Sequence, residues 1–313
     1  MRIRNAFKIA VANFALVFKN LLYKAIIFVL FALVAGLILN IGLKPVLNSL
    51  SNVLVEVKTA VVNAYNGVPT PFAPLKASIE ELLVYISSYD GSVFFTAVIL
   101  IVVAYVFGYF SGVGDSVLVL LINGYMTSLS RPSYIGTLME NLKKILVYQL
   151  IYALLALGAD IITYIFTALI AYLTFLISPI LSVFFTVLSL VALCSLSRAV
   201  LSQVTTTALC EEGKLGALIL KGFRSEKEYL LKMFTEYLVL TVAILYFTLS
   251  VGVFTLGVGV LIVLPFSSVL LASVKEVDYF TINRRKYFVH FDSIFVPKEL
   301  RENDEKLLND IEI

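Results

Sequence analysis

From Ile145 to Ser202 the chain is almost unbroken hydrocarbon, and only Gln149, Asp160 and Arg198 interrupt it with strongly polar or charged side chains. About 20 apolar residues already cross a bilayer core as a helix. The run is therefore too long for one span. It suffices for two if the chain folds back near Ser178-Pro179. A transmembrane hairpin with an acid near the middle of its first arm constrains everything else.

The rest of the chain has the same character. Of 313 residues, 60% are hydrophobic and 14% charged, whereas a soluble domain carries about 25% charged residues. Apolar blocks place further spans at about 25–43, 92–110, 233–251 and 255–274, beside 145–173 and 178–202 of the hairpin. Lipid offers backbone groups no water, so each span must be helical. The expected fold is an all-α integral membrane protein, with six transmembrane helices as three hairpins. The basic N-terminus followed by apolar Ala25–Leu39 has the outline of a secretory signal. Its basic part is long and no small-residue cleavage site follows, so it reads as a retained first span.

Three regions flank or interrupt the spans. Residues 1–23 carry Phe7, Val11, Phe14, Phe18 and Leu22 at helical spacing, with Arg4, Lys8 and Lys19 mostly off that stripe. This predicts an amphipathic helix lying in the headgroup layer or packed on the protein's own helices. The membrane domain is expected over 24–276, with a loop at 44–90 that carries two short helices either side of Pro69, Pro71 and Pro74. Ser78 with Glu81, Thr137 with Glu140, and Ser225 with Glu228 have capping-box spacing. A tight turn is expected around Gly252, with Gly257 and Gly259 close behind. The tail, 277–313, holds Arg284-Arg285-Lys286, an extended stretch from Tyr287 to Val296 and a short charged helix from Lys298 to Asn309.

Six spans put both termini on one side. Of the 24 Lys and Arg residues, only Lys44, Lys58 and Lys76 fall on the other side. That bias predicts cytoplasmic termini in a cell membrane. The net charge of +3 is too small to suggest nucleic acid. The expected partners are the lipid bilayer and a membrane protein.

A unit of amphipathic segment, basic boundary and hairpin recurs three times in outline. Gly124 and Gly213 are 89 residues apart, as are Lys143 and Lys232. The opposing reading is that membrane proteins repeat hydropathy by necessity. Glu212-Gly213-Lys214, followed by Gly222-Phe223-Arg224-Ser225 and a membrane-directed helix, resembles a pattern in polytopic bacterial membrane families. These include the membrane region of some glycerophosphodiester phosphodiesterases and related uncharacterised proteins. The resemblance covers roughly residues 110–280. It implies a six-helix membrane domain; the hydrolytic domain of those phosphodiesterases is not visible in the sequence, so their activity is not carried over.

Asp160 is the sharpest candidate for chemistry. It lies 15 residues beyond Ile145, roughly 22 Å along a helix. A charged acid that deep costs at least a few kcal/mol. It reads either as a proton or cation site, or as a protonated acid bonded to a neighbouring hydroxyl, with Gln149 nearer its depth than Arg198. Lys24, Lys143, Lys144, Arg198, Arg284, Arg285 and Lys286 are candidate headgroup contacts. Asp115 reads as a helix cap. His290 is the single histidine, which argues against a histidine-based metal site. Cys194 and Cys210 alone make neither a disulfide framework nor a metal site. No cofactor is expected. The leading expectation is a non-enzymatic scaffold or accessory subunit; the runner-up is a small transporter or channel using Asp160.

Overall fold

The computed structural model describes residues 2–42, 44–88, 92–225, 229–297 and 300. Among these are ten helices: α1 (Arg2–Ala12), α2 (Ala15–Gly42), α3 (Lys44–Tyr65), α4 (Ala73–Ser88), α5 (Ser92–Ser128), α6 (Tyr134–Phe175), α7 (Pro179–Cys210), α8 (Leu215–Ser225), α9 (Leu230–Phe254) and α10 (Val260–Ile282). An antiparallel hairpin follows, β1 (Tyr287–His290) with β2 (Ser293–Phe295). Helices α2, α5, α6, α7, α9 and α10 are each long and apolar enough to cross a membrane. The chain is an all-α membrane protein. Most of the expected helix over 298–309 and most of the capping box at 225–228 lie outside the described residues.

The chain divides into two compact units, 25–110 and 1–24 with 111–313. In the first, α3 and α4 pack on each other as a helical pair. Helix α4 starts at Ala73, so Ser78 lies inside it and does not cap it. Phe31 meets Phe107 edge-on and Phe110 at a tilt, with ring separations of 5.7 and 5.9 Å, and the edge-on pair suits the aromatic quadrupole.

The second unit holds the core. Helix α6 has 42 residues and α7 has 32, lengths of about 63 and 48 Å, against a hydrocarbon core of about 30 Å. Burial shows how the surplus is used. Val117, Ile122 and Met126 of α5, Ile145 and Tyr148 of α6, Val204 and Ala208 of α7, Met233 of α9, and Val277 and Phe280 of α10 are all buried. Every one lies in the end of its helix nearest Ser128, Tyr134, Cys210, Leu230 or Ile282. The opposite halves expose Ile161, Phe166, Phe184, Val187, Phe247 and Val253. That is a surface made for lipid. One end of the unit therefore packs like a soluble core, while the other meets hydrocarbon.

Helix α1 packs on α10, mainly through a face other than the aromatic stripe, of which Phe7 and Phe14 meet Phe266 of α10 at ring separations of 6.1 and 6.2 Å. Its buried face is Asn5, Ala6, Ile9 and Ala10; Phe7, Val11, Phe14, Phe18 and Leu22 are exposed. Small side chains let two helices approach closely, so the alanine face wins the interface and the bulky one is turned outward. Asn13 then ends the helix by donating its amide to the Ile9 carbonyl at 2.9 Å, a local bond that competes with continued helix.

Several boundaries differ from the sequence reading. Helix α5 runs unbroken through Gly108, Gly112 and Asp115, so Asp115 caps nothing. Ser133, and not Thr137, caps α6, accepting from the Gly136 amide at 2.9 Å. The α9–α10 turn falls after Gly252, at Gly257, whose φ of +90° favours glycine; the Gly257 amide closes it on the Gly252 carbonyl at 2.7 Å. The two glycines of the supposed repeat are not equivalent, since Gly124 is helical and Gly213 has a φ of +145° in a loop.

Candidate functional site

The packed end of the second unit is polar as well as apolar, and α10 organises it. Its last turns present Lys275, Glu276, Asp278 and Tyr279 in successive directions. Glu276, fully buried, accepts from the Asn123 amide of α5 at 2.7 Å and the Cys210 thiol of α7 at 3.4 Å. Asp278, also fully buried, meets the Arg2 guanidinium of α1 at 3.2 Å. The same guanidinium lies 3.7 Å from Glu236 of α9. Tyr279 donates to Glu211 at 2.9 Å and accepts from Arg285 at 3.1 Å. Tyr148 of α6 donates to Thr205 of α7 at 2.9 Å. Buried polar groups need such partners, and these bonds tie α1, α5, α6, α7, α9 and α10 into one arrangement.

Glu211 sits just past α7 and is also held by Lys221 of α8. Burial alone raises its carboxyl. The hydrogen bonds from Lys221 and Tyr279, with the charges of Lys221 and Arg285, outweigh that and hold it below the usual carboxylate range. A carboxyl held low in the folded chain stabilises it above the unfolded value; the stabilisation is lost as pH falls through the folded one. Glu211→Gln is expected to flatten the acid limb of stability, read as thermal unfolding from neutral pH to about pH 3.

Above this network lies a cavity of about 210 Å³, lined by Asp115, Tyr152, Arg198, Tyr237, Ser268 and Lys275. Lys24 reaches its edge, 2.8 Å from the Asp115 carboxylate and donating to Ser268 at 2.9 Å. Arg198 donates to Thr241 of α9 at 3.2 Å. The Lys275 ammonium stands 5.9 Å over the Tyr152 ring, a cation–π contact. Among the described residues, neither Arg198 nor Lys275 has a carboxylate within ion-pair distance.

The residues singled out from sequence are dispersed. Gln149 is buried and accepts from Ser116 at 3.3 Å; Gly112 leaves the space its amide fills. Asp160 is half-buried, and no hydrogen bond or ion pair reaches it among the described residues. It stands 11 residues from Gln149, about 16 Å along α6, so the two form no joint site. Lys24 and Arg198 meet the cavity. Lys144 donates to the Leu209 and Glu211 carbonyls at 2.7 and 2.9 Å, closing the end of α7. Lys143 and Arg284 lie at the surface, Arg284 with a φ of +51°.

Lys275, Glu276 and Asp278 were not legible as site residues, because a cluster of charges after apolar residues reads as the start of a tail. One signal was available: Val274, Val277 and Phe280 continue the helical apolar spacing straight through them. Among the described residues no three His, Cys, Asp or Glu side chains gather as a metal site. No protein-family model, curated protein or solved structure matches this chain.

Proposed function

We propose that this chain is a non-enzymatic component of the cytoplasmic membrane, a scaffold or accessory subunit of a membrane complex, with both termini in the cytoplasm. One observation carries the reading. At one end of the bundle the acids Glu211, Glu236, Glu276 and Asp278 are each held by a partner from another element, which favours a rigid body over a polar route across it. The opposite halves of α6, α7 and α9 offer broad apolar faces, as a partner's helices or lipid require. The lysine and arginine bias supports the orientation. Purification in mild detergent should recover a stoichiometric membrane-protein partner. A lone monomer, with no partner retained, counts against the scaffold.

The transport reading has one observation in its favour, the unpartnered Asp160 in the apolar half of α6. Under the scaffold reading, Asp160→Asn leaves proton and cation flux in reconstituted vesicles at the background of empty vesicles, as the parent chain does. Folding is retained, since the change removes a charge that hydrocarbon disfavours. A parent-chain flux abolished by Asp160→Asn replaces the scaffold with the transporter.

A further inference from the structure

The cavity between α5, α6, α7, α9 and α10 carries more positive charge than its structural role requires. Lys24 and Asp115 neutralise each other at 2.8 Å. Glu276, next to Lys275 in sequence, points to Asn123 and Cys210 instead. Arg198 and Lys275 therefore face the cavity with no anionic partner among the described residues. Two cations facing one partly enclosed space repel each other and lose part of their hydration, an arrangement that costs free energy unless an anion joins them. A phosphate suits the set: a guanidinium grips two of its oxygens in parallel while an ammonium acts as a point charge.

The height of the cavity in the bundle points the same way. From Tyr152, Arg198, Tyr237 and Lys275 to the far ends of their helices, Phe175, Pro179, Phe254 and Val260, the distances are about 22–35 Å. One hydrocarbon core is about 30 Å thick. With the apolar halves in lipid, the cavity falls at the headgroup layer of the leaflet nearer the packed core, where phosphates are most concentrated.

We propose that this cavity is a phosphate-binding site, with Arg198 and Lys275 as its ligands and the Lys24–Asp115 pair as its wall. The phosphate is that of an anionic lipid headgroup or a free ion, and the two sources are separable. The full chain is purified in dodecyl maltoside, which holds no phosphate, and titrated with phosphatidylglycerol and with inorganic phosphate in separate arms. Saturable binding of phosphatidylglycerol at one molecule per chain, with no competition from inorganic phosphate, supports the site with a lipid source. Saturable binding of inorganic phosphate that displaces the lipid supports it with a free source. Arg198→Gln with Lys275→Gln should weaken binding at least tenfold, while Lys214→Gln, at an exposed position away from the cavity, leaves it unchanged. Should the double variant not fold, Arg198→Lys with Lys275→Arg keeps both charges and is expected to retain binding. If the parent chain binds neither probe, or a folded double variant binds as the parent does, the proposal is overturned. The inference is separate from the scaffold reading: a partner recovered without phosphate binding ends this proposal alone, and phosphate binding by a lone monomer ends the other.

Discussion

Replacing Arg2 with alanine is expected to destabilise the packed end of the bundle by about 3–5 kcal/mol. Among the described residues the guanidinium is the one cation within reach of both Asp278 and Glu236, at 3.2 and 3.7 Å. Its side chain is 10% exposed and that of Asp278 is 0% exposed. Removing it leaves two acids facing each other out of water, and an uncompensated buried charge costs more than the pair contributed. Its stack on Tyr229, 5.9 Å from the ring, goes as well. Thermal unfolding in detergent measures the effect. Arg2→Met combined with Glu236→Gln and Asp278→Asn should recover most of the loss, because no unpaired charge is then left. A single Arg2→Ala variant that unfolds with the parent chain would mean that α1 does not bear on the core.

The residues in that ion pair also show what the sequence could and could not reveal. Hydropathy was enough for six spans, because length and the exclusion of charge from lipid act locally. It also placed the fold-back near Ser178, where α6 gives way to α7. The buried charges were hidden for a physical reason. Asp278 pairs with Arg2 across 276 residues, and no local pattern encodes so distant a partner. The same blindness made Lys275 and Glu276 look like the boundary between the last span and the tail. Residues 1–23 illustrate a choice that periodicity left open, between a stripe in the headgroup layer and a stripe packed on the protein. The aromatic stripe was the louder periodic signal, yet the face that packs is Ala6, Ile9 and Ala10, because close approach rewards small side chains and not hydrophobicity alone. Asp160, the most conspicuous acid in the sequence, is attached to nothing among the described residues, while Asp115, read as a cap, holds Lys24. An isolated intramembrane charge stands out in hydropathy whether or not anything answers it in space.

Close approach also governs the other large expected effect, at Gly222. Helix α8 lies against α7 there with no room for a side chain. A Cβ on Gly222 would come within 2.7 Å of the Val204 Cα and 3.1 Å of the Gln203 carbonyl oxygen. These are backbone atoms of a helix and cannot rotate aside as a side-chain tip does. Gly222→Ala must therefore push α8 off α7, an overpacking change that costs about 1–3 kcal/mol; leucine at this position should dislodge the helix. The displacement has a second consequence. Lys221 is the neighbour of Gly222 and holds Glu211, and Glu211 accepts from Tyr279 of α10. Gly222→Ala is thus expected to loosen the end of α10 without touching it, seen as faster amide exchange at Tyr279–Ile282 beside faster exchange in α8. Gly216, on the same helix but with open space where its Cβ would stand, is the matched control; it lies in the first turn of α8, where the interior propensity gain of about 1 kcal/mol is an upper bound, and Gly216→Ala should not destabilise the helix. If both alanines behave alike, the α7–α8 contact is not the tight one described, and the Gly222-Phe223-Arg224 sequence has some other cause.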